Sequence, residues 1–211
     1  MKRPASIRKS SDTAFSLVEL LTVIAIIGIL VAVTIPSLSG LSSSTELNIS
    51  GDQMVDTLNL ARQSAVSANR PVEVRFYEVP RSADASLAYR AMGIYLLGDD
   101  GPSPLGRLAY LQNSIVMSET DAFGTLLSQL SPGQTNLPAI DRSKQFNYRY
   151  FVFRPDGSAS LPSLTKQGDT WHVMLYDSRR PPTGQTPPDN FVTVQLIPET
   201  GRTRTFQPNS R

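Results

Sequence analysis

The stretch FSLVELLTVIAIIGILVAVTI, residues 15–35, carries a single charge in 21 residues. As a helix rising 1.5 Å per residue it measures roughly 32 Å, close to the hydrocarbon thickness of a bilayer. Lys2, Arg3, Arg8 and Lys9 precede it, against Asp12 alone. That asymmetry predicts a cytoplasmic N-terminus with the remainder of the chain across the membrane. A cleaved secretory signal has a shorter apolar core, roughly 7–15 residues, with its small-residue cleavage site after the core. Here the apolar run is longer and an acid interrupts it early, so a plain signal peptide fits poorly.

That acid is Glu19. A carboxylate within the bilayer costs about 2.5–3.5 kcal/mol even on insertion scales and calls for a cationic partner. No basic residue lies inside the run. A cut between Ala14 and Phe15 supplies one, because the new α-amine lies one helical turn from Glu19 of its own chain. The amine is equally suited to Glu19 of a neighbouring chain.

Ala14-Phe15-Ser16-Leu17-Val18-Glu19-Leu20 resembles the type IV prepilin cleavage and methylation motif. The resemblance implies that a membrane prepilin peptidase cuts before Phe15 and N-methylates the new terminus. It also implies that Glu19 pairs with a neighbouring subunit's amine during assembly, and that Gly28 and Pro36 are the helix-kink positions. The family usually has Gly before the cut; Ala14, the next smallest side chain, implies slower cleavage.

Pro36 lacks an N–H and crowds the carbonyl four residues back, so the helix is expected to bend or stop there. Residues 37–44, rich in Ser with Gly40, read as a melted helix or flexible neck. A second helical pattern follows. Leu47, Gly51, Met54, Leu58, Ala61, Ala65 and Ala68 recur at spacings of four and three as one apolar stripe, with Gln53, Asp56, Asn59, Arg62 and Gln63 mostly off it. The stripe reads as a seam against the chain's own sheet, and the helix is expected to end near Asn69, before Arg70-Pro71.

Beyond Pro71 the period changes to that of strands. Val72-Glu73-Val74-Arg75-Phe76-Tyr77 alternates apolar and polar, and further strands are expected over 91–97, 109–117, 147–153, 171–176, 191–197 and 202–206. Asp99-Asp100-Gly101, Pro155-Asp156-Gly157 and Glu199-Thr200-Gly201 read as the turns between them. Residues 130–143 and 178–190, rich in Pro, Gly, Thr and Gln, read as long loops. The predicted class is α+β, with a long N-terminal membrane and stalk helix packed on an antiparallel β-sheet domain. The expected organisation is a basic leader (1–14), a transmembrane and assembly helix (15–36), a neck and amphipathic stalk (37–70) and an extracytoplasmic β-rich domain (71–211).

The body adds a second resemblance. Leu60-Ala61-Arg62-Gln63-Ser64-Ala65-Val66 with Pro71-Val72, Phe153-Arg154-Pro155-Asp156-Gly157-Ser158, and the closing Thr200-Gly201-Arg202 are similar to the H-type minor pseudopilin family, GspH/FimT-like. The layout is also similar to Verru_Chthon cassette protein D, a prepilin-motif family. These resemblances imply a structural subunit, held in a bacterial inner membrane with its C-terminal domain periplasmic. They further imply extraction into a type II secretion-like or type IV pilus-like filament, with other pilin or pseudopilin subunits as partners.

Composition narrows the chemistry. The chain has no cysteine, which removes disulfides, thiolate metal sites and cysteine catalysis, and its single histidine, His172, argues against a His-based metal centre or triad. No phosphate-binding glycine loop or nucleophile elbow is present, so neither enzyme activity nor a cofactor is expected. Asp99-Asp100-Gly101 lacks the regular oxygen spacing of a calcium loop and reads as a plain turn. Of 20 basic and 18 acidic residues, four and one fall in the first 14, leaving 16 and 17 and a net charge of −1. A general polyanion-binding body is therefore not indicated. One alternative rests on Gly201-Arg202-Thr203-Arg204. The tail resembles the Gly-Arg-x-Arg end of FimT-like minor pilins, which implies DNA binding through Arg202 and Arg204, two residues apart on one strand face.

Overall fold

The computed structural model describes residues 16–81, 86–164 and 170–208, with side chains outside the described set over 31–42. It divides into two compact units, Met1–Ser42 and Ser43–Arg211. Helix α1 (Leu17–Ala68) is followed by β1 (Val72–Pro80), β2 (Leu87–Gly98), β3 (Gly101–Pro104), β4 (Ala109–Tyr110), β5 (Ile115–Met117) and the short helix α2 (Thr125–Gln129). Then come β6 (Ser131–Leu137), β7 (Asp141–Phe153), β8 (Ala159–Ser160), β9 (Trp171–Asp177), β10 (Phe191–Ile197) and β11 (Arg202–Phe206). This is the expected α+β class, a helix packed on antiparallel sheet.

In the second unit two antiparallel sheets share one core with the helix. The larger runs β3-β2-β1-β7-β6, with β4 added on β2 and β8 on β7; the smaller runs β11-β10-β9-β5. The predicted stripe is the seam. Leu47, Met54, Leu58, Ala61 and Ala65 are at most 1% exposed and join Val74, Phe76 and Phe151 of the larger sheet and Val173, Val192 and Val194 of the smaller in one cluster. Gly51 belongs to the seam because a Cβ there would sit 3.0 Å from Val192 Cγ1. Ala68, the last stripe residue, is exposed because the helix ends on it. The end is a left-handed cap. Asn69 takes φ 49°, its N–H donates to Val66 O (3.3 Å), and Arg70 N–H reaches Ala65 O (3.2 Å), after which Pro71 starts the strand region.

Three expectations need correction. Residues 37–44, read as a melted neck, lie within the helix assignment. Serine carries a helix penalty of less than about 0.7 kcal/mol per residue, and on the C-terminal side the helix is anchored by the buried stripe from Leu47 to Ala65. Residues 130–143, read as a loop, contain all of β6 and the start of β7. The strand expected over 109–117 is two, β4 and β5, separated at Asn113, whose φ of 26° breaks the extended chain. By contrast, 191–197 and 202–206 are strands with the expected bounds, and Gly157 (φ 83°) and Gly201 (φ 62°) form the expected turns.

Among the described residues no helix is long and apolar enough to cross a membrane. The described side chains of the apolar run end at Leu30, so the expected span over 15–36 lies partly outside them.

Candidate functional site

The N-terminal helix start is built by Ser16. It precedes the first helical residue, and its carbonyl accepts from Glu19 N–H (3.1 Å) and Leu20 N–H (3.2 Å), while its hydroxyl takes a longer bond from Glu19 N–H (3.4 Å). Ser16-Leu17-Val18-Glu19 thus has the spacing of a capping box, in which a side chain three residues on complements the cap. Glu19 also lies in the first turn, where the helix dipole favours a carboxylate. Thr22 turns its hydroxyl back onto Val18 O, so this polar side chain is satisfied by its own helix.

Beyond the cap, every large apolar side chain of residues 17–30 is exposed, from 47% at Val23 to 80% at Leu17. They occupy all sides of the helix. Gly28 lies among them with no atom within 4 Å of where a Cβ would stand. Fully burying a Val, Leu or Ile side chain is worth roughly 1.5–3 kcal/mol, so ten such residues left in water are a large unrealised stabilisation. A helix apolar all round belongs inside a protein core or a membrane. Ala14 and Phe15 fall outside the described residues, and so does the side chain of Pro36.

Residues 9–35 match the family model of the prokaryotic N-terminal methylation motif. The chain carries a prepilin-type methylation motif. The match brackets the Ala14–Phe15 junction, Glu19 and the apolar run, the same residues singled out by charge and hydropathy. Compared with curated proteins, the sequence matches none. Among solved structures, the chain is similar to the minor pseudopilin EpsH from the type 2 secretion system of Vibrio cholerae, at 13% identity and a TM-score of 0.45, covering 78% of this chain and 99% of that one. It is also similar to the type IV minor pilin FimU of Pseudomonas aeruginosa, at 14% identity and a TM-score of 0.43, covering 79% and 95%.

The other predicted pair lies in the second unit. Arg202 and Arg204 stand on β11, an edge of the smaller sheet, opposite Ile197 and Gln195 of β10. Both are exposed and, two residues apart, share a face. Arg62, which the periodicity merely places off the stripe, organises the turn before them. Its Nε donates to Thr200 O (2.8 Å) and to Gly157 O (3.3 Å), tying both turns to the helix. Gly201 is required there, since a Cβ would lie 2.1 Å from Gly157 O.

Two further features escape the sequence pattern. Glu73 and Arg75, which the alternation of β1 assigns to a solvent face, are buried together as an ion pair. The Arg75 guanidinium lies 4.2 Å from the Tyr95 ring centre and 4.6 Å from that of Tyr148. Tyr77 and Tyr95 share a 2.7 Å hydroxyl contact beside it; burial first, and then Tyr95, push the Tyr77 phenol well above its ordinary value. At the other end of the unit, Ser43 Oγ donates to Asp177 Oδ2 (2.9 Å) and Arg179 grips the same carboxylate through Nε and Nη2. Burial alone raises the Asp177 pKa, but the hydrogen bonds from Arg179 and Ser43 hold it well below the usual carboxylate range. His172, near the start of β9, has its Nδ1 2.9 Å from Thr170 O.

Proposed function

We propose that this protein is a minor pseudopilin-type structural subunit of a type II secretion-like or type IV pilus-like filament. The observation that carries the reading is the coincidence of the methylation motif over 9–35 with a helix whose described large apolar side chains, Leu17 to Leu30, are all exposed. A prepilin peptidase cuts between Ala14 and Phe15 and methylates the new amine. The apolar run holds the subunit in the bacterial inner membrane and, on extraction, packs against the runs of neighbouring subunits. Glu19 pairs with a neighbour's N-terminal amine and sets the register, as a desolvated charge pair does. The domain from 71 onwards lies on the periplasmic side and contributes no catalysis.

The absence of cysteine makes a clean test. Leu17→Cys and Leu21→Cys variants, labelled with a benzophenone maleimide and irradiated in membranes of the native host, are expected to give covalent adducts with other run-bearing subunits. Monomer alone at both positions would contradict assembly through this helix.

A second reading, DNA binding for uptake, is favoured by one observation: Arg202 and Arg204 share the exposed face of an edge strand. It predicts salt-dependent DNA binding by the full chain in detergent that is lost when both arginines become Ala. No binding at low salt ends it.

A further inference from the structure

Arg202, Arg204 and Phe206 form a row on β11. Thr203 and Thr205, between them, stand opposite Leu196 and Val194, which are buried in the core. The row therefore points the other way, on the outer side of the smaller sheet, with its members about 7 Å apart. All three side chains are exposed, Phe206 by 51%.

Asp52, Asp56 and Leu60 form a second row, on the side of α1 turned away from the buried stripe of Met54, Leu58 and Ala61. Four residues apart, they repeat at about 6 Å along the helix axis. They too are exposed, Leu60 by 53%, and with Ile49 and Gln112 they line an open groove of about 450 Å³.

The rows are complementary. Two acids and an aliphatic side chain match two arginines and an aromatic one, in the same order and at nearly the same repeat, a difference that a long arginine side chain absorbs. Among the described residues, none of the four charged side chains forms an ion pair or a side-chain hydrogen bond. One row lies on the outer side of the smaller sheet, the other on the outer side of the helix that packs against that sheet's inner side. They do not meet within the chain.

We propose that the row of Arg202, Arg204 and Phe206 of one copy of this chain docks on the row of Asp52, Asp56 and Leu60 of a second copy. Each arginine faces one aspartate, and Phe206 covers Leu60. Because two different surfaces meet, the contact repeats head to tail instead of closing into a symmetric pair. It deepens the filament reading and rests on it for its setting, adding a contact between folded domains to the packing of the apolar runs. Arginines engaged in this way are withdrawn from a phosphate backbone, so the contact competes with DNA binding.

The test uses full-length protein from native membranes in density-matched detergent, its mass followed by sedimentation over a concentration series. The wild type is expected to grow beyond the dimer as concentration rises and to fall back as salt is added. One variant carries Asp52→Arg and Asp56→Arg, another Arg202→Asp and Arg204→Asp. Each alone should associate at least about tenfold more weakly, because like charges then face each other. Mixed one to one they should recover, since the arginines of one face the aspartates of the other. Phe206→Ala, which changes no charge, should weaken association about three- to tenfold. All substituted positions are exposed, so the variants should keep the wild-type unfolding midpoint, read through Trp171, the sole tryptophan, buried in the core. A wild type that stays monomeric with Phe15 at its N-terminus, association that the reversals leave unchanged, or a mixture that does not recover overturns the contact and leaves the filament reading standing. Failure of the filament reading shows separately, as a wild type that begins at Met1.

Discussion

The two ends of helix α1 treat apolar surface in opposite ways. Over residues 17–30 large aliphatic side chains point in every direction and all are exposed; over residues 47–65 they form one stripe, with Met54 and Leu58 at most 1% exposed. The stripe finds its cover inside the chain, in two sheets whose strands alternate with matching period. Among the described residues the uniform run has no such cover, and uniformity itself is the reason: a sheet covers one face of a helix, whereas only a bilayer or a ring of other helices covers all of them. One stretch is therefore covered by its own fold, and the other is left for cover from outside the folded unit.

Substitutions sharpen that division. Leu58→Ala should open a cavity in the seam and lower the stability of the folded unit by about 2–5 kcal/mol, read as a shift in urea midpoint through Trp171. Arg62→Ala should cost less, about 1–2 kcal/mol, because half-buried Arg62 contributes hydrogen bonds to two turns rather than core volume. Asp177→Asn should cost about 1 kcal/mol at pH 7, since Arg179, its ion-pair partner, is largely exposed. Its sign with pH is specific. The folded Asp177 pKa lies below the unfolded value of about 3.9, so its contribution is present above that value and is lost as pH falls towards the folded pKa. The stability difference between pH 7 and pH 3 should accordingly shrink in the variant. Leu21→Ala, in the uniform run, should change unfolding of the second unit by less than about 0.5 kcal/mol. An effect on that unfolding as large as that of Leu58→Ala would erase the division between the two stretches.

Legibility in the sequence followed the same line. The apolar run, its leading charges and Glu19 were readable because each is a local pattern with a physical consequence, and the methylation motif spans the run, Glu19 and the last leading charge, Lys9. The stripe from Leu47 to Ala65 and the turns at Gly157 and Gly201 were readable for the same reason. Strand β6 was not. Ser131-Pro132-Gly133-Gln134-Thr135-Asn136 has no alternation because it is a largely exposed edge strand, and Gly133 is there because the Tyr148 ring would lie 2.4 Å from a Cβ. Glu73 and Arg75 looked like a wet face and are buried, because a second apolar cluster around Tyr77, with Leu108 and Ile140 packed against it, forms on the side of β1 away from the main core. Arg202 and Arg204 were readable as a pair on one face, and the structure places them so; what they bind is a matter of partners rather than of fold.

The central claim, that the uniform run belongs to a processed assembly helix, is tested most directly by intact mass and N-terminal sequencing of protein from native membranes, with and without Glu19→Ala. The account predicts a chain beginning at N-methylated Phe15 in both, with only the wild type entering assemblies. A chain beginning at Met1 in the wild type would contradict it and leave an ordinary membrane anchor in its place.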